Sequence, residues 1–356
     1  MFAINLSNTE NDTTRGKKMT SKELIKAAIN CEEVDRIPFC PPFQGYWALN
    51  LEGISVMDSI KNPKLAAEAQ LKIIDSCHMD GIETIWDWLL PAELMGCEVK
   101  IPVHGTIPTV SHIIHEVGDL DKLNEIPDVK SFYRFKGARD TTQMLADKVG
   151  KEKFLMATFL SPFTLAGELR GVEAMMMDCY VEEDFVMELV KKSLEIDNCF
   201  MEEIVKWDVD AATICDPTAS GDLISAADYE KFAAKPMRGL GDTVRKGGKL
   251  QINHICGDTS DRLDIVKGTG CNAFSVDFQV NIENAVKQMK GTMAIIGNLD
   301  PARILYCGTP DDVRKSTLQL LKAGGKKGYL LGSGCDIPVG TDLENVLAMG
   351  DACAKF

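Results

Sequence analysis

Eight short apolar runs, separated by longer amphipathic stretches, constrain the fold of this chain more than any other feature of its sequence. The runs are apolar at consecutive positions, which is typical of strands in a parallel sheet that is covered on both faces. The stretches between them, such as residues 62–77, carry apolar residues at helical spacing. The eight runs occupy residues 36–42, 81–86, 153–159, 211–217, 249–256, 273–278, 294–299 and 328–335.

This alternation predicts an α/β fold, specifically a closed (β/α)8 barrel (TIM barrel), with a doubly wound open sheet as the alternative. Turn residues punctuate residues 97–116, which predicts a β-hairpin inserted after the second strand. A capped start at residue 20 predicts an N-terminal helical extension before the first strand. We expect residues 19–356 to form one domain, preceded by a flexible extension over residues 1–18.

The net charge and the cysteine content limit the partners and the compartment. A formal charge of −14 at pH 7 repels nucleic acids and anionic membranes, so neither is expected as a partner. The polar N-terminus lacks the apolar core of a secretory signal, and no apolar run is long enough to span a membrane, so we expect a cytoplasmic protein. The 12 cysteines are expected to be reduced and mostly buried, a content that also suits an anaerobe.

Residues that can bind a metal follow two of the predicted strands. His254 and Cys256 close the fifth run, and Cys335 closes the eighth between two glycines. Residues i and i+2 of a strand point to the same side, and barrel active sites lie at the carboxyl ends of the strands. Because zinc prefers such nitrogen and sulfur ligands, these three residues predict a catalytic zinc site with one open position. Ordinary core packing of the three side chains is the alternative.

A zinc site of this composition suits methyl transfer. Two thiolates and one imidazole leave a site of about zero formal charge, and the bound cation would hold an incoming thiol as thiolate near neutral pH. Such a thiolate remains nucleophilic and can attack a methyl group on a good leaving group, such as the cobalt of methylcobalamin. We therefore expect His254, Cys256 and Cys335 to be catalytic as well as metal-binding.

Other residues at the strand ends are candidates for substrate binding. Asp216, Asp277 and Asn298 follow or close predicted strands and could orient a ligand, with capping or loop closure as the alternative. Aromatic residues and one glutamine after the first two runs could line an apolar pocket, although core packing is the alternative for each. These residues are Phe43, Gln44, Tyr46, Trp47, Trp86 and Trp88.

Several motifs resemble those of the uroporphyrinogen decarboxylase superfamily, and within it the corrinoid-dependent methyltransferase branch that includes methylcobamide:coenzyme M methyltransferases. The resemblance runs from Met19 to the end of the chain. It implies a TIM barrel in which His254, Cys256 and Cys335 bind zinc, and a corrinoid-binding protein as the partner that supplies the methyl-carrying corrinoid. The motifs occupy residues 161–171, 216–236, 253–259, 275–277, 297–301, 308–313 and 332–349.

Two features bear on the substrate. The decarboxylases of this superfamily carry arginines after the first strand, whereas this chain has none between Arg36 and Arg134, which disfavours a polycarboxylate substrate. Asp87 lies where the decarboxylases carry an acidic residue, so we predict that it is a catalytic proton handler, with a capping or loop role as the alternative. A thiol acceptor, a methoxylated aromatic donor, tetrahydrofolate as acceptor and decarboxylation all remain open.

Overall fold

The computed structural model describes residues 19–356, and the flexible extension expected over residues 1–18 lies outside the described residues. The strands are β1 Gly81–Ile85, β2 Glu98–Val99, β3 Thr109–Ser111, β4 Phe154–Leu160, β5 Ala211–Cys215, β6 Leu250–Ile255, β7 Ala273–Val276, β8 Ala294–Leu299 and β9 Tyr329–Ser333.

Helices alternate with these strands along the chain. No helix within residues 19–356 combines the length and the apolar character needed to cross a membrane. The helices are α1 Ser21–Ile29, α2 Gly45–Leu51, α3 Val56–Lys61, α4 Pro63–Ser76, α5 Leu90–Leu94, α6 Tyr133–Val149, α7 Pro162–Arg170, α8 Val172–Val181, α9 Glu183–Ile204, α10 Ala226–Asp228, α11 Lys235–Lys246, α12 Leu263–Gly268, α13 Ile282–Met289, α14 Pro310–Gly324 and α15 Leu343–Lys355.

Seven parallel strands form a curled sheet in the order β1-β4-β5-β6-β7-β8-β9, which confirms the predicted TIM barrel. Strands β1, β4, β5, β8 and β9 are buried along their whole length, as expected for strands between a packed barrel interior and a layer of helices. The parallel register pairs Cys215 with His254 and His254 with Ser275, so these three residues lie at one level near the carboxyl ends of the strands.

The first apolar run, residues 36–42, does not form the regular strand that the sequence predicts. It makes one isolated parallel bridge, from Phe39 to Leu331 of β9. The run contains three prolines, at 38, 41 and 42, and a proline has no N–H to donate to a ladder. Residues 36–42 still close the barrel, because the Cys40 N–H bonds to the Leu331 carbonyl and the Asp80 N–H, just before β1, bonds to the Phe39 carbonyl.

The segment after the second run contains two short strands. β2 and β3 pair antiparallel, and residues 97–116 follow the barrel strand β1. His112 Nδ1 lies 2.7 Å from the carbonyl oxygen of Glu168, so the hairpin is tied to α7. At the other end of the barrel, α1 begins with a capping box between Thr20 and Glu23, which accounts for the helix predicted at the N-terminus.

Asp80 joins residues 36–42 to the barrel. Its carboxylate is buried and accepts hydrogen bonds from the Arg36 guanidinium, from the Phe39 N–H at 2.9 Å and from the Ser21 hydroxyl at 2.6 Å. One side chain therefore connects α1, the segment 36–42 and the start of β1.

Replacing Asp80 with alanine should destabilise the barrel at this junction. The substitution leaves the Arg36 charge and the Phe39 N–H without their partner, so we expect the free energy of unfolding to fall by about 2–4 kcal/mol. Urea unfolding followed by circular dichroism measures the change. Asp75→Ala on the exposed side of α4 is the control and should change stability by less than about 0.5 kcal/mol. Equal stabilities of the two variants would contradict this role of Asp80.

Candidate metal centre

The three predicted ligands converge in the folded chain. His254 Nε2 lies 3.3 Å from Cys256 Sγ, and Cys256 Sγ lies 3.7 Å from Cys335 Sγ. All three ligand atoms lie within 4.8 Å of one another. In a tetrahedral site, Zn–S and Zn–N bonds of about 2.3 and 2.0 Å separate neighbouring ligand atoms by about 3.5–3.8 Å. The spacing of these atoms therefore fits one zinc ion with little movement.

Ser275 orients the imidazole of His254. Nδ1 lies 3.2 Å from the Ser275 carbonyl oxygen and 3.1 Å from its hydroxyl oxygen. A carbonyl oxygen can only accept, so this contact favours the tautomer with the hydrogen on Nδ1 and the lone pair on Nε2, facing the two sulfurs. The ring of Phe43 packs edge-on against the imidazole, with the ring centroids 4.7 Å apart. The imidazole is thus held in the form that a metal requires.

A tight loop after β9 presents Cys335. The Ser333 hydroxyl donates to the Cys335 carbonyl at 2.6 Å, and the Gly334 N–H bonds to the Leu299 carbonyl of β8 at 2.8 Å. A side chain at position 334 would not fit, because its Cβ would lie 2.6 Å from the backbone nitrogen of Phe278. Glycine at this position therefore lets the loop approach the barrel closely enough to bring Cys335 to the other two ligands.

The two sulfurs differ in their affinity for a proton. A hydrogen bond from the Cys256 thiol, aided by His254, holds the pKa of Cys335 well below its ordinary value. The same hydrogen bond and burial raise the pKa of Cys256. Burial, together with the negative charge of Cys335, raises the pKa of the neighbouring Asp336 to about 8. The pair therefore loses its first proton more readily from Cys335 than from Cys256.

A cavity of about 250 Å³ opens next to the three ligands. Two of the aromatic residues predicted to line a pocket do so, since Phe43 and Trp88 form one wall with their ring centroids 6.0 Å apart. Trp47 instead is fully buried and donates its indole N–H to the Thr341 carbonyl. Besides the ligands, the lining residues are Phe43, Trp88, Thr106, Cys215, Pro217 and Asp336.

Asp87 and Trp86 are not among the residues that line this cavity. Asp87 accepts a hydrogen bond from Arg134 Nε at 2.9 Å, and Arg134 also pairs with Glu93. Burial raises the pKa of Asp87, while the charge of Arg134 opposes that rise. Trp86 and Asp87 line a separate cavity of about 40 Å³ together with Arg134. Proton handling by Asp87 and substrate binding by Trp86 stay predictions, and the ion pair favours a structural role for Asp87.

Asp216 connects the end of β5 to the start of α7. Its Oδ1 accepts hydrogen bonds from the Ser161 hydroxyl at 2.5 Å and the Thr164 hydroxyl at 2.8 Å, and its backbone N–H bonds to the His254 carbonyl at 2.8 Å. The side chain is fully buried, and burial raises its pKa to about 6. Asp216 therefore supports the backbone beside a predicted ligand.

Asp277 and Asn298 lie on the loop and strand next to the ligands. The Asn298 amide donates to the carbonyls of Asp277 and Val280, both at 2.7 Å, and so fixes the loop after β7. The Asp277 carboxylate accepts from the Gln279 N–H at 3.1 Å. Burial raises the pKa of Asp277, with a further contribution from the charge of Cys335. Binding of substrate by either residue stays a prediction.

The sequence reasoning missed Glu83 on β1, an acid whose side chain is buried. Its Oε2 accepts hydrogen bonds from the backbone N–H groups of Gly45 at 3.1 Å and Gln44 at 3.3 Å. The Gln44 side chain is also buried there, with its oxygen 2.7 Å from the Glu83 N–H and its nitrogen 2.9 Å from the Pro41 carbonyl. Burial and the nearby Asp336 raise the pKa of Glu83. A single acid within an otherwise apolar run was the signal for it.

Comparison with known proteins places the chain in a family. The sequence model of the uroporphyrinogen decarboxylase (URO-D) family matches residues 20–356. The chain belongs to this family. The methylcobamide:CoM methyltransferase MtbA of Methanosarcina mazei is 31% identical over 347 residues, which cover 94% of this chain and 98% of MtbA. A uroporphyrinogen decarboxylase of Solibacter usitatus is 27% identical over 308 residues, covering 85% of this chain and 86% of the decarboxylase.

A solved structure supports the fold of this URO-D family member. A methyltransferase from Methanosarcina mazei superimposes with a TM-score of 0.87 at 22% identity, covering 95% of this chain and 99% of the other. At 22% sequence identity, this match shows that the two chains share the barrel fold. Relatives of this chain include named methyltransferases and named decarboxylases. The choice between these two reactions therefore depends on the residues of the site.

Removing one ligand should abolish stoichiometric metal binding. We expect the wild type to bind about one zinc ion per chain, and Cys256→Ala or Cys335→Ala to lower the affinity for zinc by at least about 100-fold, because two ligands cannot complete the coordination shell. Elemental analysis after dialysis against a weak chelator measures the content. Cys307→Ser is the matched control, since Cys307 is exposed and outside the cluster. Full zinc content in the two alanine variants would contradict this assignment of the ligands.

The buried acid Asp216 should make stability depend on pH. Because its pKa is raised from 3.8 to about 6 in the folded chain, its stabilising contribution is complete below the unfolded pKa and is lost as the pH rises through 6. Between about pH 4 and pH 7, we expect the wild type to lose about 2 kcal/mol of stability relative to Asp216→Asn. Urea unfolding of both proteins across this range measures the difference. Parallel pH profiles would show that Asp216 is not buried as an acid.

Proposed function

We propose that residues 19–356 form one cytoplasmic enzyme domain that moves a methyl group between a corrinoid carried by a partner protein and a thiol. The convergence of His254, Cys256 and Cys335 beside an open cavity carries this proposal. The name of its relative MtbA, a methylcobamide:CoM methyltransferase, supports the same chemistry. We infer that zinc is the metal, because the ligand set and its spacing suit zinc.

A zinc ion held by these three residues would lower the pKa of a thiol in the remaining coordination position. The residues around it have separate tasks. Ser275 keeps the lone pair of His254 Nε2 directed at the ion, and the loop with Gly334 holds Cys335 in reach. The aromatic wall of Phe43 and Trp88 covers one side of the cavity and would exclude water from the sulfur.

The methyl group moves as an electrophile in this proposal. The thiol first loses its proton to solvent, and a sulfur lone pair then attacks the methyl carbon of the methylcorrinoid substrate. The S–C bond forms as the Co–C bond breaks, and the electron pair of that bond stays on cobalt, so that no external oxidant or reductant is consumed. This chain has to bind and orient the thiol and to expose its cavity to the corrinoid protein.

Decarboxylation, the reaction that gives the family its name, is not favoured by this site. A substrate with several carboxylates requires cationic partners, and none of the described residues that line the cavity is a lysine or an arginine. The predicted acid Asp87 is paired with Arg134 and does not line the cavity. Transfer from a methoxylated aromatic donor or to tetrahydrofolate would use the same corrinoid and remains a possible result of the test below.

A demethylation assay tests the proposed function. Zinc-loaded protein is mixed with methylcobalamin and a panel of thiols, with tetrahydrofolate as a separate acceptor, and the loss of the methyl–cobalt absorption and the methylated product are measured. We expect thiol-dependent demethylation, lowered by about 100-fold or more in Cys256→Ala because the activating cation is lost.

The exposed-cysteine variant Cys307→Ser is the control in this assay and should retain wild-type activity. Full activity of Cys256→Ala, or the same rate with and without protein, would overturn the proposal. Product formed from tetrahydrofolate alone would keep methyl transfer and replace the thiol as acceptor.

A further inference from the structure

The cavity beside the metal ligands offers no positive charge to a substrate, apart from what a bound metal supplies. Its described wall consists of two aromatic rings, a proline, a threonine, a cysteine and a carboxyl group. The carboxyl group belongs to Asp336, which can accept a hydrogen bond or, when protonated, donate one, but carries no positive charge in either form. A second acid, Glu83, is buried close enough to Asp336 for the two to influence each other electrostatically.

The buried arginines of the barrel are already engaged elsewhere. Arg262 is 1% exposed and donates to the carbonyls of Ala219 and Ile224, both at 3.0 Å. Arg134 is 3% exposed and paired with Asp87 and Glu93. Releasing either guanidinium towards a substrate would leave carbonyls or carboxylates without their donors, which is costly in a buried setting.

The backbone N–H groups of the turn after β5 are occupied as well. The turn after β5 begins at Pro217, which lines the cavity and has no N–H. The next N–H, of Thr218, donates to the Thr164 hydroxyl at 3.2 Å, and that of Ala219 donates to the Asp216 carbonyl at 3.0 Å. This turn therefore does not provide the free N–H groups that bind anions at other helix starts.

The charge balance of the site limits the acceptor further. One zinc ion with two thiolates and an imidazole has about zero formal charge, and an incoming thiolate already makes the site negative. A second anionic group on the same small molecule, such as a sulfonate two carbons from the sulfur, would have to enter the same cavity. It would lose its hydration there without gaining a cationic partner.

The cavity wall suits an apolar substrate body instead. Phe43 and Trp88 meet edge to face, and Pro217 adds further apolar surface. Aromatic rings arranged in this way contact another ring or an alkyl chain favourably. A cavity of about 250 Å³ has room for a small thiol of this kind.

We propose that the thiol acceptor is uncharged apart from its sulfur and carries an apolar or aromatic body, and that this chain discriminates against anionic thiols such as 2-mercaptoethanesulfonate (coenzyme M). The inference rests on the proposed function. It separates this chain from its relative MtbA, whose name specifies CoM as the acceptor.

Direct binding tests the inference without turnover. The protein is loaded with Co²⁺ in place of zinc, and three thiols of similar acidity are titrated while the visible absorption of the cobalt is recorded. 2-Mercaptoethanol and 2-mercaptoethanesulfonate differ only in the charged end group, and benzyl mercaptan adds an aromatic body. We expect the sulfonate to bind about 10-fold or more weakly than 2-mercaptoethanol, and benzyl mercaptan to bind more tightly than both. Sulfonate binding as tight as that of 2-mercaptoethanol would overturn the inference.

A new positive charge at the cavity should reduce the preference for uncharged thiols over the sulfonate. Thr106 lines the cavity and is exposed, so a longer side chain can be accommodated there. We expect Thr106→Arg to raise kcat/KM for the sulfonate relative to that for 2-mercaptoethanol by about 10-fold, while the uncharged control Thr106→Gln leaves the ratio unchanged. An unchanged ratio in both variants would contradict the proposal that anionic thiols are excluded from the cavity by electrostatics.

The methylcobalamin assay separates the two proposals. Faster methylation of the sulfonate than of both uncharged thiols would overturn the inference and leave methyl transfer intact. If no thiol is methylated although Co²⁺ reports binding, the proposed function fails and the inference on the acceptor fails with it.

Discussion

The parallel register of the barrel is the constraint on which the candidate site depends. It sets His254 level with Ser275 on one side and with Cys215 on the other, so the imidazole reaches the barrel mouth already paired through Nδ1. Cys256 follows two residues later, just past the end of β6, whereas Cys335 comes from the loop after β9. A shift of register at β6 would turn His254 away from the sulfurs and remove the site without unfolding the sheet.

The electrostatics of the cavity follow from what surrounds these ligands. The buried acids Asp216 and Glu83 and the partly buried Asp336 lie near the three predicted ligands. The buried guanidinium groups of Arg134 and Arg262 are paired elsewhere in the barrel. A divalent cation would offset this negative charge. The same arrangement is poorly suited to a substrate that brings negative charge of its own. The proposed metal binding and the proposed acceptor selectivity thus have a common cause in the distribution of charge.

Much of the barrel could be predicted, because apolar runs and strand periodicity are local properties of the sequence. The proximity of His254 to Cys256 could be predicted as well, because residues i and i+2 of a strand point to the same side. Residues 36–42 are the one apolar run that does not form the predicted strand within the described residues. Its prolines have no N–H to donate to a neighbouring strand. The ion pair between Asp87 and Arg134 could not be predicted, because the two residues lie 47 positions apart in the sequence. Glu83 was missed because burial of an acid depends on tertiary neighbours that no local pattern records.

The order of the ligands along the chain has a consequence for biosynthesis. His254 lies on β6 and Cys256 comes just after that strand, but Cys335 follows 79 residues after Cys256. A nascent chain therefore cannot bring the three residues together until Cys335 has left the ribosome. In the proposed enzyme, the ion then stabilises only barrels that include Cys335, so that metal loading distinguishes them from chains that end before this residue.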